Sequence, residues 1–266
     1  MPPRSAILNV MVGAARKAAR GLLRDLGEIE QLQVSKKGPG DFVSAADMRA
    51  EKLIREELGR ARPAYGFLME ESAEETGSDP KRRFIVDPLD GTTNFLHGIA
   101  HFAISIGLEE DGQMTAGVIY EPVHDEMFVA ERGKGAFLND RRLRVSARTL
   151  LGESVIATGI PHMGKSHHEL FLSELGAVMR QVAGVRRCGT ASLDLAYVAA
   201  GRFDGFWERG LCPWDMAAGL VILREAGGLI SDLDGGAEMM ATGGVVAANT
   251  ALHAPLLAAL KAAHSG

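Results

Sequence analysis

The most informative stretch of the chain is Asp87-Pro88-Leu89-Asp90-Gly91-Thr92-Thr93-Asn94-Phe95. It begins where the apolar run 84–86 ends, so its first acid stands at the tip of a predicted strand. The following proline removes a backbone donor and fixes φ, which leaves the Leu89 carbonyl free to point outward. Gly91 removes side-chain bulk, so the N–H groups of Gly91 and Thr92 can face an anion if a helix starts there. The stretch therefore predicts a cation and an anion held side by side.

Other acids stand at similar positions along the chain. Glu70 and Glu71 end the apolar strand candidate 67–69, and Asp215 lies in the first turn of a predicted helix. Taken singly, each acid could be a solvated strand end, or a first-turn acid stabilised by about 0.3–1 kcal/mol through the helix dipole. Together with Asp87 and Asp90 they form an oxygen-rich set that suits a hard cation such as Mg²⁺. Two divalent ions in such a cluster permit in-line transfer of a phosphoryl group to water.

The first half of the chain predicts a helix at 5–24, a strand at 29–34, and a flexible basic loop at 35–41. Ser44 with Asp47 three residues later indicates a capping box, which opens a helix that ends before Pro63. Short apolar runs then predict five strands, at 65–69, 83–86, 103–107, 116–120 and 127–130, and a hairpin turn at Asn139-Asp140. Because the connections are short, we expect a largely antiparallel sheet.

The second half alternates strands and helices, which implies helices layered on a sheet. The predicted strands are 155–158, one near Val185, 203–207 and 244–248; the predicted helices are 168–179, 192–200, 213–225 and one from Ala251. We predict an N-terminal α+β subdomain at 1–143, carrying most of the acids, and a C-terminal α/β subdomain at 144–266 that supplies Asp215.

Composition narrows the class of protein. The 266 residues carry a net charge of −5 without a basic stripe, so no direct nucleic-acid binding is expected. Cys188 and Cys212 give no disulfide framework, which fits a reducing compartment, and no segment approaches the roughly 20 apolar residues of a membrane span. We expect a cytoplasmic protein without membrane association.

The central stretch, together with Glu70-Glu71-Ser72 and Trp214-Asp215-Met216-Ala217-Ala218-Gly219, resembles the two signatures of the inositol monophosphatase family. The resemblance runs essentially from end to end. It implies a mixed α/β protein with a layered αβαβα sugar-phosphatase fold, usually a homodimer. It also implies lithium-sensitive, Mg²⁺-dependent hydrolysis of a small polyol or sugar phosphate monoester, with myo-inositol 1-phosphate as the leading substrate.

The resemblance also implies a role for individual residues. Two or three Mg²⁺ ions would be bound by Glu70, Asp87, the Leu89 carbonyl, Asp90 and Asp215, and phosphate by Asp90, Gly91 and Thr92. Thr92 and Asp47 would support the attacking water, and Lys36 would lie on a mobile loop. Gly189, Thr190, Ala191 and Glu208 match positions that contact the polyol. Glu70 is the candidate proton acceptor. Asp47 has an alternative explanation as a helix-capping acid, and Glu208 as a surface carboxylate after a strand.

Other interpretations stay open at this stage. Related phosphatases act on histidinol phosphate, fructose bisphosphate or nucleotides. Residues 159–166 match a P-loop pattern between a strand and a helix, so a P-loop ATPase is an alternative, although Pro161 removes a donor from that loop. The simpler explanation is a polar loop before a helix capped by Ser166. A regulatory binding protein with a relic site is the non-enzymatic alternative.

Overall fold

A computed structural model describes residues 4–29, 34–39 and 41–263 of the chain. The helices are α1 Ala6–Leu26, α2 Ala45–Ala61, α3 Thr92–Leu96, α4 His168–Met179, α5 Ala191–Ala199, α6 Pro213–Glu225, α7 Met239–Thr242 and α8 His253–Ala262. The strands are β1 Val34–Gly38, β2 Asp41–Ser44, β3 Tyr65–Met69, β4 Asp79–Asp90, β5 Ala103–Glu110, β6 Gln113–Glu121, β7 Glu126–Glu131, β8 Gly135–Leu138, β9 Arg141–Arg142, β10 Val155–Thr158, β11 Gly184–Arg186, β12 Gly205–Glu208, β13 Leu229–Ser231 and β14 Val245–Ala248.

The larger sheet has seven strands in the order β3-β4-β5-β6-β7-β8-β9. Only its first pair, β3 and β4, is parallel, and the remaining pairs are antiparallel. Short turns cause this arrangement: Asn139 and Asp140 both adopt positive φ between β8 and β9. The largely antiparallel sheet predicted for the first half is confirmed.

The smaller sheet has five strands in the order β11-β10-β12-β14-β13. Strand β10 pairs in parallel with β11 and β12, whereas β14 pairs antiparallel with β12 and β13. Helices α5 and α6 lie between the two sheets and supply half of the buried residues of the apolar cluster there. Helices α1 and α2 cover the outer face of the larger sheet, and α4 and α8 cover the smaller one. The five layers give the predicted αβαβα architecture.

Two segments differ from the prediction. Residues 35–38 and 41, predicted as part of a loop, lie in the antiparallel hairpin of β1 and β2, with a register shift between Lys36 and Gly38. Gly38 is the last residue of β1 and Pro39 lies in the turn, so the residues that suggested a loop begin only at the end of the strand. The predicted strand 29–34 falls mainly on residues 30–33, which lie outside the described part. The division into subdomains at residue 143 stays a prediction.

The capping box at the start of α2 is confirmed. The Ser44 hydroxyl accepts the Ala46 N–H at 3.1 Å, and the Asp47 carboxylate accepts the Ser44 N–H at 2.9 Å. Helix α6 begins with a proline in its first turn, as predicted, and its third residue is Asp215. Among the described residues, no helix combines the length and the apolar character that crossing a membrane requires.

Candidate active site

Three carboxylates converge where the two sheets meet α6. Asp87 and Asp90 lie in the last four residues of β4, and Asp215 lies in the first turn of α6. One carboxylate oxygen from each lies within 4.8 Å of the corresponding oxygens of the other two. Glu70 follows β3, and its N–H donates to the Val86 carbonyl at 3.2 Å, which holds β3's end beside β4. The acids singled out from separate sequence segments therefore share one end of the sheet.

Each of the three carboxylates is oriented by a backbone donor. Asp87 Oδ1 accepts the Leu89 N–H at 2.9 Å, and Asp215 Oδ2 accepts the Cys212 N–H at 2.7 Å. Asp90 Oδ2 accepts the Ser192 N–H at 2.7 Å, from the first turn of α5. These contacts fix the carboxyl planes and leave further oxygen lone pairs available. Such a preoriented set of oxygen ligands is the donor set that Mg²⁺ binds.

The cluster carries strong electrostatic strain in the protein alone. Burial raises the pKa of Asp87 well above its ordinary value, and the charges of Glu70, Asp90 and Asp215 raise it further. Burial and then the charge of Asp90 also raise the pKa of Asp215, and burial raises that of Asp90 to about 6. Parts of Asp90 and Asp215 open into the cleft, yet protein surrounds their carboxyl groups. A bound divalent cation would relieve this repulsion, so the residues present fit a cation site.

Thr92 occupies the first position of the short helix α3, beside the cluster. Its hydroxyl lies 3.0 Å from Asp47 Oδ1 and 3.1 Å from the Leu89 carbonyl oxygen. Asp47 is fully buried, and its second oxygen accepts the hydroxyl of Ser44 at 2.5 Å. The Asp47 carboxylate therefore caps α2 and also contacts Thr92, whose side chain lines the cleft beside the cluster.

Gly91 brings two chain segments into close contact. Its φ is +93°, and a Cβ at this position would lie 2.5 Å from the Thr190 hydroxyl oxygen. That hydroxyl already donates to the carbonyl of His101 at 3.0 Å. The glycine thus lets the predicted phosphate stretch lie directly against Gly189 and Thr190.

A cleft of about 360 Å³ opens beside these groups. Its walls include Glu70, Asp90, Gly91, Thr92, Gly189, Thr190, Ala191, Glu208 and Asp215. Glu208 lies at the end of β12, where burial and the charge of Asp90 raise its pKa to about 8. A Cβ on Gly159 would lie only 1.9 Å from Glu208 Oε1, so this glycine makes room for the carboxyl group.

Some contributors to the site were not predicted from the sequence. The N–H groups of Ser192 and Cys212 orient the carboxylates of Asp90 and Asp215, and Lys165 and Arg187 line the cleft. A signal for Ser192 was available, because the helix predicted at 192–200 begins just after Gly189, Thr190 and Ala191, which the sequence predicts to contact the polyol. Lys36 lies in β1, and its side chain falls outside the described part, so its role on a mobile loop stays a prediction.

Residues 159–166 join β10 to α4, but their contacts do not suit a P-loop. The Lys165 ammonium donates to the Gly210 carbonyl at 2.9 Å, and the first glycine of the motif packs against the Glu208 carboxyl group. A P-loop lysine binds the β- and γ-phosphates of a nucleotide, whereas this lysine already donates to a backbone carbonyl. The prediction that Ser166 caps the following helix is wrong, because the N-cap residue is His167 and it makes no side-chain capping bond.

Fold and site together define a two-sheet α/β protein with a carboxylate cluster in a polar cleft. The model of the inositol monophosphatase family matches residues 4–265, and the chain belongs to that family. An inositol-1-monophosphatase of Mesorhizobium japonicum is 62% identical over 258 residues, which are 97% of each chain. The Nus factor SuhB of Escherichia coli is 42% identical over 255 residues, 96% of each chain.

The structural comparison agrees with the family assignment. The crystal structure of the extragenic suppressor protein suhB from Bartonella henselae superimposes with a TM-score of 0.95 at 60% sequence identity. The match covers 97% of this chain and 99% of that protein.

Proposed function

We propose that the chain is a phosphoric monoester hydrolase that releases phosphate from myo-inositol 1-phosphate, with Mg²⁺ as its cofactor. The observation that carries this proposal is the convergence of Asp87, Asp90 and Asp215 beside the paired side chains of Thr92 and Asp47. The name of the 62% identical relative supports the choice of substrate.

The acidic residues would hold the cation. Asp87, Asp90 and Asp215, with Glu70 and the Leu89 carbonyl, offer only oxygen donors, which favours Mg²⁺ over softer metals. A divalent cation bound there would neutralise the carboxylates, polarise the phosphoryl group and lower the pKa of a water molecule. Two or three ions per site are the number that the family resemblance implies.

Thr92 would position the attacking water. Because its hydroxyl proton is directed at Asp47 Oδ1 or the Leu89 carbonyl, the lone pairs of Thr92 Oγ1 are free to accept a hydrogen bond from one O–H group of the water. Glu70 lines the same cleft and would take the proton of the other O–H group as general base. The buried Asp47 fixes the rotamer of Thr92 rather than contacting the substrate. Positioning of this kind supplies a large part of the barrier reduction in hydrolysis.

The phosphate and the alcohol would occupy neighbouring walls of the cleft. The N–H groups of Gly91 and Thr92 would donate to phosphate oxygens, and Gly189, Thr190, Ala191 and Glu208 would surround the polyol. Burial and the charge of Asp90 raise the pKa of Glu208 to about 8 in the cation-free protein, and its carboxyl group can form hydrogen bonds with ring hydroxyls. A small polyhydroxylated alcohol fits the polar character of this wall.

A panel of phosphate monoesters tests the proposal. With Mg²⁺ present, phosphate release should be fastest from myo-inositol 1-phosphate, and slower from histidinol phosphate, fructose 1,6-bisphosphate and a phosphorylated nucleotide. Faster release from one of the other compounds would change the proposed substrate but leave the proposed reaction, hydrolysis of a phosphate monoester, unchanged. Release from none of them would overturn the enzymatic proposal and favour a regulatory binding protein.

The family resemblance supports two further proposals, a homodimer and a cytoplasmic location. Sedimentation equilibrium of the purified chain would test the first, with twice the mass of 28.4 kDa expected. A concentration-independent monomer would contradict it.

A further inference from the structure

A second group of metal-ligating side chains lies behind the wall of the cleft. It consists of His101, just before β5, Cys188, just after β11, and Asp194, in the first turn of α5. One ligand atom of each residue lies within 4.8 Å of those of the other two. None of the three belongs to the carboxylate cluster of Asp87, Asp90 and Asp215.

Three polar atoms of this group, His101 Nε2 and both carboxylate oxygens of Asp194, are buried without a hydrogen-bond partner of good geometry among the described residues. Asp194 is only 1% exposed, and neither of its carboxylate oxygens has a partner of good geometry among the described residues. The Cys188 thiol lies near this carboxyl and interacts with it without the geometry of a full hydrogen bond. In the same described part of the chain, His101 Nε2 is also buried and unpartnered. Buried polar atoms without a hydrogen bond are rare in folded proteins, because nothing compensates for the water that they lose. These atoms therefore indicate a ligand that binds between them.

The backbone around the group is fixed by a buried amide. Asn94 Nδ2 donates to the His101 carbonyl at 2.8 Å and to the Cys188 carbonyl at 2.9 Å. The Thr190 hydroxyl also donates to the His101 carbonyl. Asn94 therefore holds the two ligand residues side by side although they are distant in sequence. A ligand set held by second-layer hydrogen bonds is typical of metal sites.

We propose that His101, Cys188 and Asp194 bind one Zn²⁺ ion, or another cation of similar softness, at a site separate from the carboxylate cluster. One nitrogen, one sulfur and one oxygen ligand suit Zn²⁺ and exclude Mg²⁺ as the preferred ion. Ligand atoms around tetrahedral zinc lie about 3.5 Å apart, so only a small contraction of the present spacing is needed. The thiolate and the carboxylate would balance the ion's two positive charges.

The ionisation of the free site agrees with this assignment. Burial raises the pKa of Cys188 to about 11 and the pKa of Asp194 well above its ordinary value. Both groups therefore hold protons that zinc would displace on binding. His101 and Cys188 are each partly exposed, so the site lies close to solvent. Because Gly189 and Thr190 line the cleft next to Cys188, bound zinc would stabilise the part of the cleft wall that we propose to contact the polyol.

Cobalt spectroscopy tests the site without reference to phosphatase activity. Co²⁺ is added to the full-length protein with excess Mg²⁺, and the near-ultraviolet thiolate-to-cobalt charge-transfer band is recorded. The band should appear and saturate near one equivalent in the wild type. It should be lost in Cys188→Ala and weakened in Asp194→Asn, and it should persist in Cys212→Ala. No band in the wild type, or a band lost in Cys212→Ala and kept in Cys188→Ala, would overturn the proposal.

Thermal unfolding provides an independent measurement. With Mg²⁺ in excess, equimolar Zn²⁺ should raise the midpoint of the wild type and of Cys212→Ala, but not that of Cys188→Ser or Asp194→Asn. Two different site variants are used so that a folding defect in one of them cannot by itself explain the missing shift. Equal shifts in wild type and in both site variants would place zinc elsewhere. These results are independent of the proposed phosphatase function, because no step requires turnover.

Discussion

The hydroxyl of Thr92 lies 3.0 Å from Oδ1 of Asp47, across a separation of 45 residues. The same carboxylate caps α2 through Ser44 with its other oxygen. The capping role and the proposed catalytic role of Asp47 therefore do not compete for one oxygen atom. A single buried carboxylate couples the start of a helix to the side chain that would position water.

This coupling predicts the behaviour of two variants. Thr92→Ala should lower kcat by about 10²–10⁴-fold with a smaller change in KM, because it removes a group that acts on the attacking water. Asp47→Asn should lower kcat in the same way, because the amide can no longer fix the Thr92 rotamer as well. The double variant should be no slower than the slower single variant, since residues acting as one unit are non-additive. Steady-state kinetics with inositol 1-phosphate measure all three.

Ser44→Ala is the matched control for that series. It removes the hydroxyl that caps α2 and donates to Asp47 Oδ2, at a cost of about 0.5–2 kcal/mol, but it leaves the contact between Asp47 Oδ1 and Thr92. We expect a lower melting temperature and a much smaller loss of kcat than for Asp47→Asn. Wild-type turnover of Asp47→Asn together with a lowered melting temperature would assign Asp47 to the helix cap alone.

Gly159→Ala should disturb the substrate wall through Glu208. The new Cβ would lie 1.9 Å from Glu208 Oε1, so the carboxyl group must move. We expect KM for inositol 1-phosphate to rise more than KM for a simple aryl phosphate, and Glu208→Gln to show the same selectivity. Gly152→Ala is the control, because a Cβ there meets no atom within 4 Å. Equal changes for both substrates would remove Glu208 from the alcohol-binding wall.

Cation-free protein should lose stability as pH rises. The pKa of Asp90 is raised to about 6 and that of Glu208 to about 8, so the unfolded chain ionises first as pH increases. The stability that these groups contribute is fully present below about pH 4. It is lost as the pH rises from there to their pKa values in the folded protein. Mg²⁺ should therefore raise the melting temperature more at pH 8 than at pH 5.

Glu208→Gln isolates one part of this pH dependence. The variant should lose less stability than the wild type between pH 6 and pH 8, because it lacks the group that titrates near 8. Thermal melts in a chelator at several pH values measure the difference. Parallel curves for the two proteins would show that the Glu208 pKa is not raised.

Asp90→Asn should separate stability from activity. The amide keeps an oxygen for the Ser192 N–H but removes a charge from the repelling cluster. We expect turnover to be abolished and the cation-free protein to melt at a higher temperature than the wild type at pH 8. A near-normal kcat in this variant would mean that Asp90 does not bind the catalytic cation.

Local patterns predicted much of the fold. Strand Val155–Thr158 and helix His168–Met179 have the bounds that periodicity and turn residues indicated. The short elements Leu229–Ser231 and Met239–Thr242 were missed, because three or four residues carry too little periodicity to be recognised. The hairpin of β1 and β2 was missed for a different reason, since Gly38 and Pro39 make the whole segment resemble a loop.

Residue patterns alone predicted only the acidic residues of the site, and the family resemblance added the glycine, threonine and alanine residues that line the cleft. The sequence motifs identified Asp87, Asp90 and Asp215 as one group, because each acid lies at one end of a buried strand or helix. The Thr92–Asp47 hydrogen bond was proposed from the family resemblance and is present as a contact. The unpartnered carboxyl of Asp194 and the Asn94 amide that holds its neighbours depend on contacts between distant segments, and single-sequence patterns do not encode such contacts.

The most direct test of the account is phosphate release from myo-inositol 1-phosphate by protein that has been stripped of metal and then reloaded. The account predicts no release in a strong chelator, full recovery with Mg²⁺, and no recovery for Asp90→Asn under the same conditions. It also expects Li⁺ and excess Ca²⁺ to inhibit the reloaded enzyme, since Ca²⁺ accepts looser coordination than Mg²⁺. An undiminished rate in the chelator would contradict the central claim that the carboxylate cluster acts through a bound divalent cation.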